Sequence, residues 1–184
     1  MTENKSILAS IIVPVFNEEK TVIKVLNKIS DLKKLNFSIE IIVVNDGSTD
    51  KSKNLLEENN ELYDLLINND LNKGKGNAIK KGLETSKGKY ILFQDSDLEY
   101  DPNDFVKFFN IINKFDPDLI IGSRFNYSDY TRSHNILNKF GNLFITFLFN
   151  ILYNTTFTDL YSCYVCFKSD LISVNKIKTD GFEQ

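Results

Sequence analysis

Apolar and polar positions alternate along the chain in two rhythms. Ile7–Val15 is an almost unbroken apolar run containing Pro14, the pattern of a strand covered on both faces in a parallel sheet. From Glu18 to Leu35 the apolar residues fall at Val22, Val25, Leu26, Ile29, Leu32 and Leu35, a helical stripe. Ile39–Val44 predicts a second strand, Asp50–Asn59 a short polar helix, and Leu62–Ile67 a weaker strand. Gly74 opens a helix to about Ser86, Lys89–Gln94 predicts a strand, Phe105–Phe115 a helix, and Leu119–Ile121 a strand. This alternation predicts a doubly wound α/β domain with a mostly parallel sheet and helices on both faces. Ligands of such sheets sit at the carboxyl ends of the strands. The loops at those ends carry Asn17-Glu18, Asp46-Gly47-Ser48, Asp95-Ser96-Asp97-Leu98-Glu99 and Arg124.

The acidic loop is the sharpest of these. If the backbone stays extended beyond Phe93, a period of two puts Asp95, Asp97 and Glu99 on one side. No cation lies among them, so three like charges call for a positive partner. A hard divalent ion, Mg²⁺ or Mn²⁺, carrying a phosphate ligand fits that need. A solvated surface loop is the bland alternative. In Asp46-Gly47-Ser48-Thr49-Asp50, the last three residues read as helix caps, and Asp46 as a carboxylate that accepts a hydrogen bond from a nucleobase N–H. Asp101-Pro102 reads as a helix start. The Gly74-Lys75-Gly76 loop lacks the phosphate-loop ending. It is either a diphosphate cradle using backbone N–H groups and Lys75 or a flexible turn, and the residues alone do not decide between them. Arg124, after a buried strand, suits a phosphate.

Composition narrows the classes. The 184 residues carry 22 basic and 25 acidic side chains, a formal charge of −3, which argues against a nucleic-acid binder relying on bulk charge. Two cysteines make no disulfide framework, and a reducing compartment is expected. Cys163 and Cys166 have no second pair for a zinc site, and a strand would point them to opposite faces, so packing is expected. His134 has no partner motif and reads as a surface residue. No signal peptide is expected at the N-terminus. The apolar run Leu143–Leu152 is far short of the roughly 20 residues that span a bilayer. The catalytic part is therefore expected to be soluble and cytoplasmic, with peripheral contact at the cytoplasmic face of a membrane left open. The longer segment Phe140–Tyr153 predicts a helix packed on the sheet, with some lipid contact.

Ile12-Val13-Pro14-Val15-Phe16-Asn17-Glu18-Glu19, Val43-Val44-Asn45-Asp46-Gly47-Ser48-Thr49-Asp50, Gly74-Lys75-Gly76 and Asp95-Ser96-Asp97 resemble, in order and spacing, the family 2 glycosyltransferases with a GT-A fold. Gln94–Pro102, Gly122-Ser123-Arg124 and Thr158–Tyr164 are similar to the branch of dolichol-phosphate mannose synthases and polyprenyl-phosphate glycosyltransferases. The resemblance implies a metal-dependent, inverting transfer of a hexose from UDP- or GDP-sugar to a polyprenyl or dolichyl phosphate. It implies that Pro14, Phe16 and Glu18 line the nucleotide pocket with Val44 and Asp46 against the base, and that Asp95 and Ser96 contact the donor. Asp97 and Glu99 would hold Mg²⁺ or Mn²⁺, with Asp95 alongside as the third acid of the metal trio. Arg124 and, in a looser alignment, Lys139 would meet phosphate. Asp97 and Arg124 would thus serve catalysis, joined by Asp159 as base if the acceptor is a hydroxyl. Glu99 stands where mannose synthases usually have Gln, which leaves the donor open. The resemblance divides one catalytic domain into a nucleotide-sugar part at about 7–124 and an acceptor part at about 125–184. The chain stops at Asp180–Gln184, a segment the family continues into further helices, so a C-terminally truncated domain is expected. Two alternatives stand beside this one. A nucleotide-sugar-binding module would have lost transfer with its C-terminal part. A dinucleotide-binding oxidoreductase is disfavoured because the first strand ends in Pro14-Val15-Phe16-Asn17 rather than a glycine fingerprint.

Overall fold

The computed structural model describes residues 6–123, 136–160, 162 and 164–173, with backbone alone at 136–139. Six strands form one sheet: β1 (Ala9–Val15), β2 (Ile39–Asp46), β3 (Leu65–Asn69), β4 (Tyr90–Phe93), β5 (Leu119–Ile121) and β6 (Val165–Lys168). Their order is β3-β2-β1-β4-β6-β5. β1 to β4 run parallel, and β6 runs antiparallel between β4 and β5. The helices are α1 (Val22–Lys33), α2 (Ser52–Glu58), α3 (Lys75–Thr85), α4 (Phe105–Phe115) and α5 (Ile136–Tyr153).

β1 reads as a continuous apolar run because both its faces are covered. Ile11, Val13 and Val15 enter one core with Val25, Leu26 and Ile29 of α1 and Phe105 and Phe109 of α4. Ile12 enters the other, with Ile42, Val44 and Ala78 and Leu83 of α3. The stripe of α1 is buried as its spacing predicts, except that the helix ends at Lys33 and leaves Leu35 exposed. The weak third strand starts later than expected. Leu62 closes a single 3₁₀ turn, and Asp64 then turns its carboxylate back to accept the Ile41 N–H at 2.7 Å, so pairing begins at Leu65.

A buried carboxylate joins the elements at the edge where the parallel strands begin. Glu40 accepts from the Ser10 hydroxyl, from Lys87 N–H at 2.5 Å and from Gly88 N–H at 3.2 Å. Replacing it with Leu strands the buried Ser10 hydroxyl and the part-buried Lys87 N–H, each costing on the order of 1 kcal/mol or more, while Gly88 N–H keeps Ser10 Oγ at 2.8 Å. Glu40→Leu is therefore expected to lose roughly 2 kcal/mol in guanidinium unfolding, and a loss below about 1 kcal/mol would contradict this role.

The largest departure from expectation is α5. The helix forms, but it is inside out. Asn142 and Thr146 are buried and Asn150 is half-buried, spaced four residues apart, while Phe140, Phe144, Phe147, Ile151 and Leu152 are exposed. The inner polar stripe has partners in the following loop. Asn142 donates to Asp159 at 2.7 Å, Leu160 N–H donates to Thr146 at 3.2 Å, and Asn150 bonds both the N–H and the carbonyl of Phe157. Hydrogen bonds therefore decide which face turns inward, and the apolar face is left outside rather than packed on the sheet. No helix among the described residues is long and apolar enough to cross a membrane.

Candidate active site

The ends of β1 to β4 share one edge, and their loops are tied together by side chains. At the end of β1, Asn17 adopts a left-handed backbone with φ +57°. Its side-chain Oδ1 accepts from the N–H groups of Thr49 and Asp50, and its backbone N–H donates to Ser48 Oγ. Glu18 N–H donates to Ser52 Oγ at 2.8 Å, and Asp50 accepts from the N–H groups of both Glu19 and Ser52. Asp50 takes the first N–H of α2 from one position ahead of the N-cap, Lys51, which has no side-chain cap of its own. Ser48 and Thr49 instead clasp the first loop to the second.

Asp46 is buried, with 3% of its surface exposed. Its carboxylate accepts from Asn69 Nδ2 at 2.5 Å, from Lys73 N–H at 3.1 Å and from Gly74 N–H at 2.8 Å. A role against a base was expected of this side chain. In the structure its first task is to hold the backbone that opens α3, and a base would reach only its remaining lone pairs. Gly74 makes that bend possible, with φ +93°. Lys81 donates to Asn69, bracing the same cluster from within α3.

The acidic segment is a turn rather than an extended strand. β4 ends at Phe93, and Leu98 takes φ +64°. Glu99 N–H donates to Asp97 Oδ1 at 2.9 Å, and the Gln94 side-chain amide donates to the carbonyls of Asp95 and Tyr100. These local bonds outcompete continued pairing. The extended arrangement of Asp95, Asp97 and Glu99 is therefore corrected to three acids carried on one stapled turn. Gln94 is a positioning residue that its motif did not reveal. The signal was its place two residues after Leu92, on the core face of β4. Its Oε1 is buried without a partner, the one such side-chain atom among the described residues.

The missing cation arrives from another loop. Lys75 Nζ lies 2.5 Å from Asp95 Oδ1, with side chains 28% and 19% exposed. The Asp97 carboxyl is raised above the ordinary carboxylate range. Burial is the main cause, joined by the charges of Glu99 and Asp95 and opposed by the Glu99 N–H and by Lys75. The neighbouring acids thus add to the cost of ionising Asp97.

The other predicted residues are placed as follows. Ser96 is buried and donates to the Pro14 carbonyl at 3.1 Å, locking the acidic turn to β1. Phe16 is exposed at the rim. Glu18 is half-buried and accepts from Thr21 at 2.6 Å. Val44 is fully buried in the core with Ala78 and Leu83 of α3. Asp159 is 1% exposed and tied to Asn142 of α5. Asp101 caps the turn at Pro102 as expected. Cys166 is buried and its thiol is pushed up to about 12 by burial, which makes it inert packing. Arg124, His134, Cys163 and the 180–184 segment lie outside the described residues, as does the side chain of Lys139.

The acidic oxygens fit a hard divalent cation. Among the described residues no three acidic, His or Cys side chains gather closely enough to hold one alone. One or two of these carboxylates would be enough for a hard divalent ion that takes its other ligands from phosphate and water.

A parallel α/β sheet with an antiparallel β6 and an acidic turn after β4 defines the GT-A class of nucleotide-sugar folds. Residues 10–173 match the model of glycosyl transferase family 2, and the chain belongs to that family. A dolichyl-phosphate beta-glucosyltransferase of Dictyostelium discoideum is 35% identical over 147 residues, covering 70% of this chain and 45% of its own length. An uncharacterised protein of Methanocaldococcus jannaschii is 35% identical over 153 residues, covering 79% and 64%. The chain thus spans roughly half to two thirds of the length of these relatives. The fold is similar to that of glucosyl-3-phosphoglycerate synthase from Mycobacterium tuberculosis, crystallised with Mn²⁺, UDP and glucosyl-3-phosphoglycerate. The TM-score is 0.65 at 19% identity, over 89% of this chain and 57% of that one.

Proposed function

We propose that this chain transfers a hexose from a UDP- or GDP-sugar to a lipid phosphate of the polyprenyl or dolichyl type, with inversion at the anomeric carbon. The observation that carries the reading is the convergence of the acidic turn, Lys75 and the Asp46-anchored loop on one sheet edge. The relatives named for dolichyl-phosphate glucosyl transfer support the acceptor class.

In this reading Asp97 and Glu99 hold Mg²⁺ or Mn²⁺, with Asp95 beside them. Bound there, the ion neutralises the charge that grows on the departing nucleoside diphosphate. The opening of α3 and Lys75 face the diphosphate, and Phe16, Glu18 and the shell around Pro14 and Ser96 shape the nucleotide pocket. Arg124 and Lys139 meet phosphate. A phosphate oxygen of the acceptor attacks C1, and the bond from C1 to the diphosphate oxygen breaks. The acceptor is already an anion, so no proton needs removal. Asp159, buried against Asn142, then positions α5, whose outward Phe140, Phe144, Phe147 and Ile151 suit a lipid surface. With a hydroxyl acceptor, Asp159 would instead have to act as the base.

A thermal-shift panel of UDP, GDP and their hexose derivatives, with and without Mn²⁺, tests the donor. One base series should raise the melting temperature, since ligand at about 100 times its Kd adds roughly 2.7 kcal/mol. A flat panel would overturn the reading. A shift without transfer to any polyprenyl phosphate would favour the binding-module alternative.

A further inference from the structure

Lys75 begins α3, and its position is imposed rather than incidental. Asp46 takes the N–H groups of Lys73 and Gly74 immediately before it. Gly74 supplies the φ of +93° that turns the chain into the helix. The ammonium then meets Asp95 Oδ1 at 2.5 Å across two loops that come from different strands. Both side chains are largely withdrawn from solvent, so the pair is screened less than a surface pair.

The acidic turn in this state therefore already holds a cation, and it is a lysine. We propose that Lys75 is a resident counter-ion of the acidic turn. It weakens binding of a bare divalent ion and exchanges Asp95 for a phosphate oxygen when metal and nucleoside diphosphate arrive together. This rests on the donor-site reading above. A divalent ion entering alone sits close to the Lys75 ammonium, which repels it and competes with it for Asp95. A metal entering with a diphosphate brings its own anion for Lys75, which offsets that repulsion. Metal and nucleotide thereby become positively coupled ligands, and the coupling must be reciprocal: each tightens the other by the same factor.

The test measures free Mn²⁺ by electron paramagnetic resonance as full-length protein is titrated, with and without UDP or GDP. Wild type, Lys75→Met and Lys75→Gln are compared with Lys75→Arg, which keeps the charge. Position 75 is partly exposed at a helix start, and two neutral variants guard against misfolding in one of them. Wild type should bind bare Mn²⁺ weakly and bind it much more tightly with nucleoside diphosphate. The neutral variants should bind bare Mn²⁺ roughly five- to tenfold more tightly, while the gain from nucleotide shrinks. Lys75→Arg should resemble wild type. Nucleotide-dependent Mn²⁺ binding in wild type, with bare-ion affinity unchanged or weaker in both neutral variants, would overturn the role of Lys75 and leave the donor site standing. No Mn²⁺ binding by wild type with either nucleotide would overturn the donor-site reading and the inference with it.

Discussion

Asp97→Asn is expected to reduce transfer by roughly 10³-fold or more while leaving the protein at least as resistant to heat in metal-free buffer. A metal that stabilises developing charge supplies several kcal/mol, and each 1.36 kcal/mol is a factor of ten in rate. The stability half follows from the Asp97 carboxyl, which burial and the neighbouring acids raise above its ordinary value. A raised carboxyl means the folded state holds its proton more tightly than the unfolded chain. Its contribution to stability therefore falls as pH climbs from the unfolded value through the folded one. At neutral pH the ionised group is a liability that Asn removes, and the Asn oxygen can still accept the Glu99 N–H. Differential scanning fluorimetry beside a transfer assay checks both halves. Transfer within tenfold of wild type would sink the metal role. A clear drop in melting temperature would mean that Asp97 is structural. Added Mn²⁺ with nucleoside diphosphate should stabilise wild type and not the variant.

Which parts of this site were readable in advance follows from how local their causes are. β1 and the stripe of α1 were legible because burial on two faces or one writes itself into the spacing of Ile, Val and Leu. The acids of the turn were legible as residues but not as a shape. Their conformation depends on a leucine at φ +64° and on a glutamine amide reaching two carbonyls, neither marked by glycine or proline. Lys75 looked remote from Asp95, because the sequence does not state that α3 opens over the turn that follows β4. The pairing exists only once Asp46 has pulled the Lys73-Gly74 backbone inward. α5 misled for a different reason. An apolar helix is ordinarily buried by its apolar face, and hydropathy alone cannot say otherwise. The counter-signal was the ladder Asn142, Thr146, Asn150, four residues apart, beside a loop rich in donors and acceptors.

Gly47→Ala should be among the most damaging single substitutions in the chain. Gly47 sits at φ +67°, and a Cβ there would lie 2.5 Å from the Asn72 nitrogen and from the Leu71 carbonyl carbon. Left-handed backbone costs a residue with a side chain about 1–2 kcal/mol. The overlap adds roughly 1–3 kcal/mol, because the obstacles are backbone atoms that no rotamer change can move aside. The sum, roughly 2–5 kcal/mol, is a large share of a domain's usual stability of about 5–15 kcal/mol. The damage is also directed. Moving residues 71–72 away from Gly47 draws Lys73 and Gly74 off the Asp46 carboxylate, and Lys75 loses the geometry that sets it against Asp95. Nucleotide binding should therefore fail even at temperatures where the variant remains folded. Gly141→Ala is the matched control. Its Cβ would meet nothing within 4 Å on α5, and alanine in a helix is worth up to about 1 kcal/mol over glycine. Guanidinium unfolding should separate the two by several kcal/mol. A Gly47→Ala protein within about 1 kcal/mol of wild type would show that the two loops do not press together at this point, and the anchoring role of Asp46 would fall with it.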